Sequence, residues 1–202
     1  VDRRDGGGVT ALLAALGGLS AQAALVGGVA FLRIGAAMAL LPGVGEAVVP
    51  ARVRLALALA FTAVVAPAVF ASIAPRTGTA EALLACLATE TLIGLALGLV
   101  LRLAVLALEI AGTIAAQAAS LSQMFGTGGE PMPAISHLLV VAGLALAMMA
   151  GLHARIAGAL ILSYEVLPPG AFPDAATIRG WSIGHVTHAF AVAFGLAAPF
   201  VI

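Results

Sequence analysis

The chain has 202 residues, of which 62% are apolar and 9% charged, and its mean hydropathy is +1.17. A soluble domain is about 45–50% apolar and about 25% charged, so this composition excludes a soluble domain, and it equally excludes a disordered chain, which needs low hydrophobicity. Nine Arg and nine acidic residues cancel to a net charge of zero, which excludes the basic surface of a nucleic-acid-binding protein. The sequence therefore predicts an integral membrane protein.

Long unbroken apolar runs predict an all-α membrane fold. A spanning helix needs about 20 apolar residues, so the chain has room for about four to six, whereas a β-barrel would alternate apolar and polar residues in segments of about ten. We expect about five long, kinked or hairpinned helices in one domain over residues 1–202, with residues 1–10 as a polar tail. Abundant Ala and Gly allow such helices to approach closely.

Proline and glycine separate the first predicted helices. Residues 11–23 partly resemble a signal peptide, but apolar sequence continues well beyond them, so we expect an uncleaved first helix over Leu19–Leu41. Pro42 ends that helix. The next span, Leu55–Ala74, carries no charge and contains Pro67, which we expect to kink it.

The remaining helices are longer and less regular. The helical pattern over Thr79–Ser122 contains no proline, and as one straight helix it would be about 66 Å long, twice the thickness of a bilayer. We therefore expect it to break, tilt strongly or leave the bilayer. One further helix is predicted over Ala134–Leu167, and a last one from Ala175 to Ile202.

Charged residues inside these apolar helices are the first candidate functional groups: Arg33, Glu90, Arg102 and Glu109. A charge at mid-bilayer costs at least about 2.5–3.5 kcal/mol, so each must pair, face protein or line water. Glu90 and Arg102 bracket Gly94 and Gly98 at a spacing of four, which places all four on one ridge of a helix. Two interpretations stay open: these are pore or subunit-contact groups, or they form internal ion pairs or snorkel near helix ends.

Motifs for catalysis or metal binding are missing, so we expect no enzyme activity and no cofactor. His185 and His188 could share a helix face, but a metal site needs further ligands and none is near in the sequence. Cys86 lies in an apolar run and is interpreted as a small buried hydrophobic residue.

The segment Gln123–Pro133 is the most unusual part of the chain between helices. It combines flexible glycines with soft apolar side chains, namely Met124, Phe125, Gly126, Gly128, Gly129 and Met132. Non-helical backbone at membrane depth is tolerated only inside protein or along a cavity, and methionine fills irregular gaps. The segment is therefore either a gate or plug, or a plain loop between two helices.

Three blocks in order resemble the FliR/SctT family of type III export-gate proteins. The first lies within residues 32–62 and is carried by Arg33, Pro42, Gly45, Pro50, Arg52 and Arg54. The second is ETLIGLALG at Glu90–Gly98, and the third extends from Pro133 to Gly170. The pattern is closer to the flagellar members than to the injectisome members.

This resemblance implies a non-catalytic subunit of the bacterial export gate, in the inner membrane at the flagellar basal body or at the base of a secretion system. The implied partners are FliP-like and FliQ-like subunits, FlhA-like and FlhB-like proteins, membrane lipid, and the unfolded proteins that pass through the pore. It also implies that Gln123–Pro133 forms a plug, with Met124, Phe125 and Met132 sealing the pore. Family members continue for another apolar hairpin, so the chain is expected to lack that C-terminal part.

Two other functions compete with the export gate. A small secondary transporter or permease subunit shares the apolar spans and intramembrane charges, but it usually has a repeat between its halves, and we find none. A purely structural membrane scaffold would differ from a gate only in lacking a water-filled axis.

Overall fold

The computed structural model describes residues 5–45, 49–124 and 134–201, with the side chains at 5–16, 19, 119–124, 134–135, 175, 177 and 200–201 left undescribed. These residues form helices joined by short turns, which confirms the all-α prediction. The helices are α1 (Asp5–Leu40), α2 (Ala51–Ile73), α3 (Ala80–Met124), α4 (Ala134–Met149), α5 (Leu152–Val166) and α6 (Ala175–Val201). A 3₁₀ turn, Ala74–Arg76, follows α2.

Helix α1 begins earlier than the sequence pattern predicts, at Asp5 rather than near Leu19. The added residues include a run rich in Ala and Leu, which have high helix propensity and let the helix extend. It ends before Pro42, where the backbone turns through Gly43 in the left-handed region (φ 81°). Helix α2 continues through Pro67 to Ile73.

Helix α3 is a single element of 45 residues, which corresponds to about 67 Å of continuous helix. This length is about twice the thickness of the hydrocarbon core of a bilayer, and the helix does not break along it. Its first half packs against α1 and its second half against α4, and α6 also lies along it.

The prediction of one helix over Ala134–Leu167 is wrong. The structure divides this region into α4 and α5, which meet at an angle of 72°. Gly151 lies at the break with φ 80°, a left-handed conformation that costs other residues roughly 1–2 kcal/mol. The glycine was visible in the sequence, but an isolated glycine in a helical pattern is usually tolerated without a break.

Close glycine contacts define the helix directions. A Cβ atom on Gly94 would collide with the Arg33 carbonyl group, and one on Gly98 would lie 2.6 Å from the Ala37 carbonyl oxygen. Because the residue numbers rise together, α1 and α3 run parallel. A Cβ atom on Gly112 would likewise collide with the Cα atom of Ser136 in α4.

Four of the described helices are long and apolar enough to cross a membrane, and the bent pair α4–α5 would make a fifth span. Many of their large apolar side chains point outward, and only 11% of the apolar window in α6 is buried within the chain. This surface suits contact with lipid or with other membrane helices rather than water.

Candidate functional site

A buried ion pair lies where α1 and α3 meet. Arg33 and Glu90 are both fully shielded from solvent. The Arg33 Nε atom donates to Glu90 Oε2 at 2.8 Å, and its Nη2 atom donates to Oε1 at 2.7 Å. The parallel packing of the two helices brings these residues to the same level, and the paired geometry matches the fork of the guanidinium group to the carboxylate.

Helix α5 supplies the remaining partners of this pair. The Arg33 Nη1 atom donates to Ser163 Oγ at 2.8 Å, and Nη2 donates to the Leu167 carbonyl oxygen at 2.9 Å. The Tyr164 hydroxyl donates to Glu90 Oε2 at 2.9 Å, and its ring centre lies 3.7 Å from the guanidinium carbon of Arg33. Three helices therefore share one polar cluster, which we call the core network: Arg33, Glu90, Ser163 and Tyr164.

The turn after α5 is attached to the same region. Thr89, the neighbour of Glu90, accepts a 3.0 Å hydrogen bond from the backbone N–H of Gly170 through its hydroxyl oxygen. The Arg76 Nη1 atom donates to the Pro169 carbonyl oxygen at 2.8 Å. The turn is thus held to α3 on one side and to the 3₁₀ turn that follows α2 on the other.

The core network is closed as well as buried. Within the described part of the chain, every buried side-chain nitrogen and oxygen has a hydrogen-bond partner. A buried ion pair gains little net stability, because desolvation offsets the attraction, but removing one partner typically costs about 3–5 kcal/mol. The network therefore specifies how α1, α3 and α5 align.

Two of the four predicted charged groups meet in this network. For Arg33 and Glu90 the structure shows the internal ion pair, one of the two interpretations that the sequence left open, and the glycine ridge beside Glu90 is covered by α1 of the same chain. Arg102 and Glu109 are exposed on α3. Among the described residues neither side chain has an ion pair, so their role as subunit-contact or pore groups stays a prediction.

All of the predicted plug residues except Met124 are outside the part of the chain that the structure describes. Phe125, Gly126, Gly128, Gly129 and Met132 all belong to the undescribed segment 125–133. Met124 is the last residue of α3, and its side chain is not described. Plug formation therefore stays a prediction.

Other positions in the first sequence block organise the corner between α1 and α2. The Arg54 Nε atom donates to the Val44 carbonyl oxygen at 3.2 Å, and Pro50 directly precedes the first turn of α2. The Gly45 N–H donates to the Leu41 carbonyl oxygen at 2.6 Å. Arg52 is exposed.

Ser163 and Tyr164 lie in the third sequence block, but the sequence did not indicate a role for either residue. A signal was present, because Tyr164 is the only tyrosine of the chain and lies in an apolar helix, where a buried hydroxyl needs a partner. No group of three or more His, Cys, Asp or Glu side chains that could hold a metal ion occurs among the described residues.

Apolar helices of membrane length, joined through a closed internal polar cluster, define an all-α integral membrane protein. Residues 24–202 match the family described as bacterial export proteins, family 1. The chain is also 34% identical over 185 residues to the flagellar biosynthetic protein FliR of Caulobacter vibrioides, an alignment that covers 88% of this chain and 72% of that protein. The chain belongs to this family of bacterial export proteins, and the resemblance noted from the sequence blocks is confirmed.

Proposed function

We propose that the protein is a subunit of the flagellar export apparatus in the bacterial inner membrane, where it helps to form and close the pore that unfolded proteins cross. Its proposed partners are FliP-like and FliQ-like subunits, with FlhA-like and FlhB-like proteins nearby. The relative from Caulobacter carries the name of a flagellar biosynthetic protein, and family membership covers nearly the whole described fold. The proposed role is structural, without catalysis.

The observation that carries the proposal is an exposed pair of charges on the long helix α3. Arg102 and Glu109 are seven residues apart, about 10 Å along the helix axis, which is too far for an ion pair between them. Lipid is a poor environment for either charge. Neighbouring protein subunits with complementary charges are therefore the fitting partners.

The closed core network favours an assembly subunit over an ion-coupled permease. A permease needs an ionisable group that reaches water from each side of the membrane in turn. Arg33 and Glu90 are occupied by each other and by α5, so they hold helices together instead of binding a transported ion.

Closure of the pore is assigned to the segment Gln123–Pro133. Its chemistry, glycines with Met and Phe side chains, suits a soft apolar seal. The segment begins in the last turn of α3, the helix that carries the proposed subunit contacts. In this scheme, α3 connects the contact surface to the seal.

Co-expression tests the proposed assembly. The protein is produced with FliP-like and FliQ-like subunits from the same bacterium, and the solubilised material is weighed by native mass spectrometry. We expect one copy of this protein in a multi-subunit complex. A monomer or homodimer, recovered although both partners are well expressed, contradicts the proposal.

Charge reversal then tests the contact surface. Arg102→Glu and Glu109→Arg are each expected to reduce the amount of complex several-fold, because like charges would meet at a desolvated contact. Glu81→Arg is the matched control, since Glu81 is an exposed acid in the first turn of the same helix. Equal yields for all three variants would remove Arg102 and Glu109 from the interface.

A further inference from the structure

An apolar cleft opens between α1, α3, α5 and α6, beyond the core network. Its volume is about 310 Å³, within the range of small-ligand sites. The walls are formed by aliphatic side chains such as Leu97, Leu101, Ile156 and Ala159. Three of the four helices around the cleft, α1, α3 and α6, are long and apolar enough to cross a membrane, so a lipid acyl chain is a chemically fitting occupant.

Polar groups occur in the lining of this cleft at Arg155, Trp181 and His185. Arg155 is exposed, and no carboxylate of the described residues lies within ion-pair distance of it. The His185 Nδ1 atom is 2.8 Å from the Trp181 carbonyl oxygen, so Nδ1 is the donor in this hydrogen bond, and this tautomer leaves Nε2 as an acceptor. The two rings lie side by side, 4.5 Å between centres.

Two of these residues present the hydrogen-bond donors that an anion needs, namely the Arg155 guanidinium and the Trp181 indole N–H. Among the described residues, neither donor has a hydrogen-bond partner. No acidic side chain of the described residues lines the cleft. Tryptophan is typical of the depth at which lipid headgroups lie, and basic pockets between membrane helices bind anionic headgroups.

We propose that this cleft binds an anionic phospholipid, with an acyl chain along the aliphatic walls and the phosphate at Arg155. The charge complementarity selects the phosphate, and the apolar walls select the chain. The absence of an acid in the described lining leaves nothing to pair with a choline group, so a lipid with net negative charge is preferred over a zwitterionic lipid. The site is separate from the core network and from the exposed charges of α3.

Lipid titration tests the proposal. The protein is extracted from membranes with any subunits it retains, and phosphatidylglycerol or phosphatidylcholine with identical acyl chains is added during native mass spectrometry. We expect tighter binding of phosphatidylglycerol. Arg155→Gln is expected to weaken that binding about tenfold, the effect of losing one charge-assisted hydrogen bond, whereas Arg52→Gln, an exposed arginine on α2 outside the cleft, leaves it unchanged.

A second variant tests whether the aliphatic walls of the cleft hold a lipid acyl chain. Ala159→Phe places a ring in the cleft and is expected to reduce binding of both lipids, with the helical signal in circular dichroism retained. Equal affinity for the two lipids, or equal behaviour of Arg155→Gln and Arg52→Gln, overturns the proposal. Binding to the isolated protein that disappears when partner subunits are present assigns the cleft to a protein partner and also overturns it.

Discussion

Neutralising Glu90 is the sharpest test of the core network. Glu90→Gln preserves the size of the side chain but replaces one acceptor oxygen by an NH₂ donor, which faces an Arg33 donor. The guanidinium group would stay fully buried without a counter-charge. Breaking one side of a buried pair costs about 3–5 kcal/mol, whereas hydrogen bonds between membrane helices average only about 0.6 kcal/mol. We therefore expect a loss of at least about 3 kcal/mol in the free energy of unfolding.

Reversible unfolding in mixed micelles measures this loss. The detergent is titrated from a mild one to SDS, and unfolding is followed by far-UV circular dichroism and by the fluorescence of Trp181, the only tryptophan of the chain. Glu81→Gln, at an exposed site of the same helix, is the control and is expected to behave like the unsubstituted protein. Tyr164→Phe removes a single hydrogen bond to Glu90 and is expected to cost about 1 kcal/mol.

A double-mutant cycle separates the charge effect from simple loss of packing. Arg33→Gln alone leaves Glu90 buried and unpaired, and Arg33→Gln with Glu90→Gln removes both charges. We expect the double variant to lose about 2 kcal/mol less than the sum of the single losses. Additive losses, or a Glu90→Gln cost near that of an ordinary interhelical hydrogen bond, would contradict an energetic coupling between the two buried charges.

Three further predictions concern the helix contacts and the proposed seal. Gly94→Ala is expected to destabilise the protein by about 1–3 kcal/mol in the same titration, because its Cβ atom meets the α1 backbone, whereas Gly158→Ala, which has open space around it, is expected to stabilise it by about 0.5–1 kcal/mol. Gly151→Ala is expected to destabilise the protein by about 1 kcal/mol because of the positive φ at that position, and a stability equal to that of Gly158→Ala would contradict this expectation. Replacing both Met124 and Phe125 with Ala is expected to make the assembled pore leak ions across a planar bilayer, and unchanged conductance counts against the plug.

The fold class and the close helix packing could be predicted from the sequence because both depend on local properties. Apolar runs of membrane length require helices, since backbone polar groups in lipid have no other partner. The ridge at Gly94 and Gly98 was identifiable as a contact face from its spacing alone. Which helix would cover that ridge was not identifiable, because spacing within one helix carries no information about its neighbour.

Neither the bend between α4 and α5 nor the partner of Glu90 could be predicted from the hydropathy pattern of the sequence. Gly151 looked compatible with a continuous helix, and only the packing of α4 against α3 and of α5 beside the core network required the left-handed turn there. Four intramembrane charges were equivalent in the sequence. The tertiary structure distinguished them by burying Arg33 with Glu90 and leaving Arg102 and Glu109 on the surface.

Three properties follow from the sequence alone: the protein lies in a membrane, it is helical, and its helices pack through small residues. Composition and periodicity are sufficient for these properties, because each depends on how a segment partitions between water and lipid. The tertiary structure decided which charges neutralise each other and which remain for a partner. Arg33 and Glu90 are 57 positions apart in the sequence, and Glu90 and Tyr164 are 74 positions apart, yet all three meet in the core network. Such long-range pairing is set by the packing of whole helices.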